Sequence, residues 1–298
     1  TVTTYFAVYS TCTSSRLFVL GSLTDDSGNV VLNRIRVLDF DGTTFTEASF
    51  SPIILSDGDD ATTDSDNSFT GMVLDQANSV LYVSDASAAV VHAISAVDGT
   101  EVTTPIAIAG VPQGMSLADS HLYVCNDSTE ETEQLITAID VSDFSTTTID
   151  LDIPCSQVAA QSNGTSVILL VRNADTQSLL IQTVDTTTFA SASDIASADT
   201  ATYANGSLSS GAGISSSIEG IVTTSDSSGN FYVYLSEIDG NIQYITIPSS
   251  LSSYTLETLS TSAINLGRGA VLEDTSGNGV SAFVVSEAGA LLDIEVGT

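Results

Sequence analysis

The chain has no tryptophan and no lysine, only two histidines, three cysteines and five prolines, and no apolar run long enough to cross a membrane as a helix. Each shortage removes a class of reading. The five basic residues are all arginine (Arg16, Arg34, Arg36, Arg172 and Arg268) and face 37 acidic ones, for a net charge of -32. A field of that sign repels phosphate backbones and anionic lipid surfaces, so nucleic acid is excluded as a partner and direct membrane insertion is not expected. The partners left are cations such as Ca2+, extracellular proteins, neutral glycans, and other copies of the chain bridged by divalent ions. Cys12, Cys125 and Cys155 match no zinc or redox spacing. Two readings stand for them: a Cys125 to Cys155 disulfide joining neighbouring repeats with Cys12 left over, or three buried thiols. The opening TVTTYFAVYS has no basic segment ahead of an apolar core, so the expectation is a soluble chain or a mature form already relieved of an export signal.

Hydroxyl side chains are what is abundant: serine and threonine together number 82 of 298 residues. Three glycosylation sequons begin at Asn126, Asn163 and Asn205. With the acidic, lysine-free composition they point to an extracellular location, secreted or at a cell surface. The hydrophobic fraction of 42% is ample for a core, and it is arranged with a period of two. Phe69 to Gly110 contains four short apolar runs separated by turn residues: GMVLD, VLYVSD, VVHAISAVDG and TPIAIAG. Alternation with β-branched and aromatic content reads as strand rather than helix, and the four runs read as one antiparallel unit.

Such a unit cannot bury both its faces alone, and the chain supplies imperfect copies. The second-strand signature recurs as RLFVLG (16 to 21), VLYVSD (80 to 85), HLYVCN (121 to 126), ILLVRN (168 to 173), YVYLSE (232 to 237) and FVVSE (283 to 287). Two low-complexity insertions, 51 to 68 and 196 to 217, lengthen the intervals that contain them and read as exposed loops. Inner strands are expected near 4 to 10, 71 to 75, 114 to 118, 157 to 161, 219 to 224 and 268 to 273. Third strands mostly end in an aspartate turn. Periods of about 40 to 50 residues with four strands each predict an all-β, six-bladed β-propeller in one domain over 1 to 298. The blades fall near 1–55, 69–110, 111–154, 155–197, 214–260 and 264–298. After ALLDIEV no outer strand remains, so the last blade is expected to have three strands. Its edge, or the neighbouring Thr1 to Thr3, is then either a contact between copies or shielded by its own acids.

The pattern GMVLDQANSVLYVSDASAAVVHAISAVDGT, followed by PQGMSLADSHLYVCN, resembles the repeat of the six-bladed propeller superfamily that includes NHL, YWTD and gluconolactonase-like proteins. The resemblance implies fold more than function. For gluconolactonase-like members it implies a divalent metal at the channel mouth, held by a Glu, Asn and Asp set. Glu219 in IEGIV matches the first position, whereas the Asn expected before Gly in the proline-led copy is Gln113, and no Asp completes the set.

Inner-strand starts place Thr70, Gln113, Gln157, Glu219 and Arg268 at one channel mouth. They form either a small polar pocket, with Glu219 as ligand or base and Arg268 as anion anchor, or a self-neutralising cap in which those two pair. Asp85, Asn126, Asn173, Glu237 and Glu287 end second strands and read as acceptors that fix turns. His92 and His121, with no nucleophile elbow nearby, read as ordinary strand residues. The acidic stretch Asp57, Asp59, Asp60, Asp64 and Asp66 reads as a Ca2+ loop or, since it departs from EF-hand spacing, a solvated loop. Two functions follow. One is a non-enzymatic platform for adhesion or assembly into a surface layer or fibre; the other is a metal-dependent lactonase or esterase.

Overall fold

In a computed structural model of the chain, the structure describes residues 4–24, 30–55, 69–127, 135–150, 155–162, 167–173, 179–184, 191–194, 218–225, 228, 230–237, 241–248, 255–260, 266–273, 280–286 and 291–296. Beyond Val184 the description is chiefly of backbone. The chain packs as two compact units, Thr1–Met115 and Ser116–Thr298.

The first unit holds two antiparallel sheets, each in chain order. One contains β1 (Thr4–Cys12), β2 (Arg16–Thr24), β3 (Val30–Phe40) and β4 (Phe45–Glu47). The other contains β5 (Phe69–Asp75), β6 (Val80–Asp85), β7 (Val90–Ser95) and β8 (Ile106–Ala107). Alternation gives each strand an apolar face, and the faces meet. Phe18, Leu20, Ile35 and Val37 of the first sheet pack with Leu81, Val83 and Ile94 of the second, all buried. Burying each such side chain contributes about 1.5–3 kcal/mol. The stretch from Ser51, expected to be loop, begins inside this core. Ile53 exchanges both backbone hydrogen bonds with Ile35 at 2.9 Å, and Ile53 and Leu55 are buried. A single residue on an isolated bridge and one more buried two positions on carry no period, which hid them. Residues 56–68 lie outside the described residues, as do 196–217.

Arg16 closes the rim of this core. Its Nε donates to Asp39 at 2.6 Å, its Nη1 to the carbonyl of Ala96 at 2.8 Å, and its guanidinium lies 4.9 Å from the Phe50 ring centre. Beside it, Gly99 has φ +77°, and a Cβ there would meet Phe50 Cδ2 at 2.8 Å and Ile53 Cγ1 at 3.0 Å. Only glycine fits this turn.

The boundary between the units falls within β9 (Val111–Ala118), the inner strand of a sheet continued by β10 (His121–Asp127), β11 (Leu135–Asp140) and β12 (Thr146–Asp150). Further sheets are formed by β13 (Cys155–Ser162), β14 (Val167–Asn173), β15 (Leu179–Val184) and β16 (Ser191–Asp194), then by β17 (Ile218–Ser225), β18 (Phe231–Glu237), β19 (Asn241–Ile247) and β20 (Thr255–Ser260). A three-stranded sheet of β21 (Leu266–Glu273), β22 (Val280–Ser286) and β23 (Leu291–Val296) completes the six found among the described residues. Within the second unit β13 neighbours β17, and β17 neighbours β21. Tyr123, Cys125, Ile136, Ala138 and Ile149 bury one face against Val158, Ala160, Leu169 and Val171. A disulfide between Cys125 and Cys155, with Cα atoms 5.2 Å apart, crosses the same interface. Cys12 is exposed, so the reading of three buried thiols does not hold.

Five aspartates among the described residues fix turns. In Asp41-Gly-Thr43, Asp85-Ala-Ser87, Asp98-Gly-Thr100, Asp140-Val-Ser142 and Asp143-Phe-Ser145 the carboxylate accepts the backbone N–H two residues on, at 2.8 to 3.1 Å. In four of the five, Asp143 excepted, it also accepts the hydroxyl of that residue. These are Asx turns that stabilise the ionised acid. The backbone hydrogen bond from Thr44 and those from Thr43 hold Asp41 well below the ordinary carboxylate range. Serine hydrogen bonds, led by Ser95 for Asp98 and Ser142 for Asp140, lower those two as well.

Candidate functional site

Inner strands begin with a repeated irregularity. Between Phe69 and Gly71, between Cys155 and Gln157, and between Ile218 and Gly220, one residue is skipped in the pairing with the second strand. The skipped residues are Thr70, Ser156 and Glu219. In β21 the skip between Leu266 and Gly269 takes in Gly267 and Arg268. A β-bulge inserts an unpaired residue and re-aims its side chain. Thr70, Glu219 and Arg268 therefore share a structural position, each directly before a glycine of its inner strand (Gly71, Gly220 and Gly269). Gln157 does not. In its sheet the bulged residue is Ser156, and Gln157 takes the place of Gly71 and Gly220, as Ser156-Gln157-Val158 set against Thr70-Gly71-Met72 reads; of that triplet Gln157 was named at the mouth where Ser156 holds the bulge.

At the one bulge whose side chains are described in full, polar groups turn inward to the backbone. The Thr70 hydroxyl donates to the Pro112 carbonyl at 2.6 Å and lies 2.9 Å from the Ser84 hydroxyl. Ser84, fully buried, donates to the Gln113 carbonyl at 3.2 Å. Thr70 and Gln113 are thus brought together, with Gln113 contributing its backbone to the link. Gly71 permits the approach, since a Cβ there would stand 3.1 Å from Ser84 Oγ and 3.2 Å from the Gln113 carbonyl oxygen. Ser84 was missed by sequence reasoning, although a serine before the terminal acid recurs at Ser236 and Ser286. The side chains of Glu219 and Arg268 lie outside the described residues, as do Asp57, Asp59, Asp60, Asp64 and Asp66. Among the described residues no group of three or more His, Cys, Asp or Glu is placed to hold a metal ion.

A second polar group lies on the buried face of β6 and β7. His92, 1% exposed, has Nδ1 3.1 Å from Glu101 Oε1 and Nε2 4.0 Å from Asp85 Oδ2. Burial opposes the imidazolium, but Asp85 and then Glu101 outweigh it and raise the pKa of the ring. Burial also opposes the charge of Asp85; the attraction of the neighbouring imidazole and bonds from Ser87 and Ala88 win, and its pKa is lowered. Asp85 is a turn acceptor, as read, and an ion-pair partner besides. His121 lies near the surface with Nδ1 2.9 Å from the Asp119 carbonyl.

The equivalent of Asp85 in the next sheet is Asn126. It is fully buried, and its Nδ2 donates to Thr137 Oγ1 at 3.0 Å. A glycan on this amide has no room in the folded chain, so the sequon reading fails there; Asn163 and Asn205 lie outside the described residues, and Asn173, Glu237 and Glu287 lie outside in their side chains. Tyr82 and Tyr123 extend the repeat. Each is fully buried, with no partner for its hydroxyl among the described residues. Burial first, and the charge of Asp75 second, push Tyr82 up to about 12.

No family model and no curated protein matches the chain. Solved structures do. It is similar to the hydrazine synthase of Kuenenia stuttgartiensis, with 12% identity over 91% of this chain and 73% of that one and a TM-score of 0.59. The β-propeller domain of Myceliophteria thermophila Cps50 (Swd1) is 11% identical over 99% of this chain and 89% of its own, with a TM-score of 0.56. A chain of a nidogen/laminin complex is 13% identical over 89% of this chain and 90% of its own, with a TM-score of 0.52. At such identities the likeness speaks for fold alone. Repeated four-stranded antiparallel sheets and these neighbours make the chain an all-β protein of the β-propeller class.

Proposed function

We propose that this is a six-bladed propeller of the NHL, YWTD and gluconolactonase-like kind, acting without catalysis as an extracellular or cell-surface module for adhesion or assembly. The observation that carries the reading is the use of its polar side chains. Thr70, Ser84, Asp85, His92 and Asn126, together with the turn aspartates, bond to their own chain, leaving the fold as a rigid, strongly acidic body. The Cys125–Cys155 disulfide supports an oxidising compartment, where such cross-links persist. The nidogen/laminin complex is an instance of a protein of this fold held by another protein. Partners of stated chemistry are copies of the chain bridged by Ca2+, extracellular proteins or neutral glycans.

The test is to isolate native material without reductant and measure its mass by light scattering in chelator and in millimolar Ca2+. Extracellular chains with linked Cys125 and Cys155 peptides, and a mass that rises with Ca2+ or remains that of a complex, support the proposal. Monomers with free thiols in both conditions overturn it. One observation favours a second reading, a metal-dependent lactonase or esterase: Glu219 occupies the bulge at an inner-strand start. Lactone hydrolysis that needs a divalent ion and is lost in Glu219→Gln would establish it.

A further inference from the structure

We propose that Asp85, His92 and Glu101 form a proton-dependent clasp, in which the buried imidazolium ties the segment carrying Glu101 to β6 and β7 and lets it go when the ring loses its proton. The three groups sit on adjacent stretches of one sheet. Asp85 ends β6, His92 lies in β7 opposite Val83, and Glu101 forms an isolated bridge with Ile94 beyond β7. Protonated, the ring carries a proton on Nδ1, 3.1 Å from Glu101, and one on Nε2, which is 4.0 Å from Asp85 and has no hydrogen-bond partner among the described residues. Neutral, it keeps one proton, and the buried charge of Asp85 holds that proton on Nε2, so that the Nδ1 lone pair then faces the Glu101 carboxylate. Asp85 is held independently by Ser87 and Ala88, and it is as buried as the ring, whereas Glu101 is 46% exposed. Loss of the proton therefore frees Glu101 first, because solvent can take up its charge.

Nothing else described on that face can substitute. Phe69, Met72 and Leu74 of β5, Leu81 and Val83 of β6, and Ile94 of β7 are apolar, as are Phe18, Leu20, Ile35 and Val37 from the facing sheet. Arg16, which reaches the turn after β7, is bonded to Asp39 and to the carbonyls of Ala96 and Val97. Arg36 donates to Glu47. The segment itself is tied to β7 by two further links, the Val102 N–H to the Ala93 carbonyl and the Ser95 N–H to the Thr100 carbonyl, both at 2.8 Å. These report on its opening.

The sign follows from linkage. A folded-state pKa above the unfolded value gives stabilisation that is fully present below about 6.5 and is lost as pH rises through the folded value. The clasp holds in acid and loosens in alkali, opposite to the turn aspartates, whose lowered pKa values make their contribution fail as pH falls below about 4.

Two histidines make the experiment direct. The imidazole protons of the intact protein are titrated by NMR, with His121→Gln identifying the His92 signal, and amide exchange at Val102 is followed over the same pH range, corrected for intrinsic base catalysis. His92 is expected to titrate above its ordinary value. Protection at Val102 is expected to fall through that same transition, by about tenfold for each unit of upward shift. Glu101→Gln, a surface change, should lower the His92 pKa and flatten the exchange profile. The clasp is overturned if His92 titrates at or below 6.5 in the native protein, if Val102 protection has no inflection at the His92 transition, or if Glu101→Gln leaves both curves in place.

Discussion

Ser84 and Cys125 occupy the same register position in successive repeats, opposite Val91 and Ile136 of their third strands, and both reach the start of the following inner strand. Ser84 does so by a hydrogen bond to the Gln113 carbonyl, Cys125 by a covalent bond to Cys155. One residue further on, the chemistry reverses in strength. Asp85 stands 4.0 Å from the titratable ring of His92, whereas Asn126 holds the neutral hydroxyl of Thr137. The fold therefore sets the geometry of two slots, one tying sheet to next strand and one tying second strand to third, and leaves their chemistry free. One repeat is softly linked outward and titratable within; the other is covalently linked outward and neutral within.

Breaking the covalent link should have the largest effect. Closing a loop with a sequence separation of 30 restricts the unfolded chain by about 3.5 kcal/mol on the loop-entropy estimate. Equilibrium denaturation with reductant present throughout should lose about that much relative to the oxidised protein. Cys12→Ser should be silent in both conditions, since Cys12 is exposed and outside the bridge. An unchanged midpoint under full reduction would mean that the covalent link adds nothing to stability and would reverse the ranking of the two outward links.

How far the sequence carried this comparison depends on distance along the chain. Inner, second and third strands could be read because alternation and the repeated signature are local; β5, β6 and β7 begin and end within two residues of the runs that predicted them, save the turn residues after Ser95. Contacts set by register could not. Nothing in the spacing of Asp85, His92 and Glu101 says that they meet, because their meeting depends on which residue of β7 faces Val83. The bulges were equally hidden. Thr70 and Glu219 were found through the glycine that follows them, and Ser156, followed by Gln157, was not. Cys125 and Cys155 stood as one of two pairing states until the interface between their sheets was seen.

The neutral pair offers a sharper test of what a buried amide requires. Thr137→Val keeps the shape but leaves Asn126 Nδ2 with no partner among the described residues, beside an Oδ1 that already has none there. The expected cost is about 1–3 kcal/mol, read from urea midpoints. Asn126→Leu with Thr137→Val should recover part of it, because removing both polar partners leaves nothing unsatisfied. A double variant less stable than the single would show that the pair contributes more than mutual satisfaction.

Ser84→Ala probes the soft outward link. Thr70 keeps its bond to the Pro112 carbonyl, and the Gln113 carbonyl loses its bond from Ser84, so the loss should be about 0.5–1.5 kcal/mol. That is well below the loss on reducing the disulfide. Equal losses measured by the same denaturant series would contradict the ranking of the two links.

The smallest effect concerns the turns that set both registers. The turn between β6 and β7 passes through Ala89 at φ 54°, and the turn between β9 and β10 through Asp119 at φ 49°. Both are left-handed, a region where an L-residue with a Cβ is strained by about 1–2 kcal/mol. Aspartate is tolerated there because its short polar side chain bonds locally, whereas alanine has no such compensation. Ala89→Gly relieves the strain while increasing the freedom of the unfolded chain, so the net gain should be about 0.5–1 kcal/mol. Asp119→Gly should gain less or nothing. Ala89 also anchors the outer segment, since its carbonyl accepts the Ile108 N–H at 2.9 Å, a bond that glycine preserves. A higher melting temperature for Ala89→Gly than for Asp119→Gly, each against the parent, is the expected order; the reverse order would mean that the alanine turn is held in its strained form by contacts its methyl group makes, and that backbone strain does not separate the two repeats.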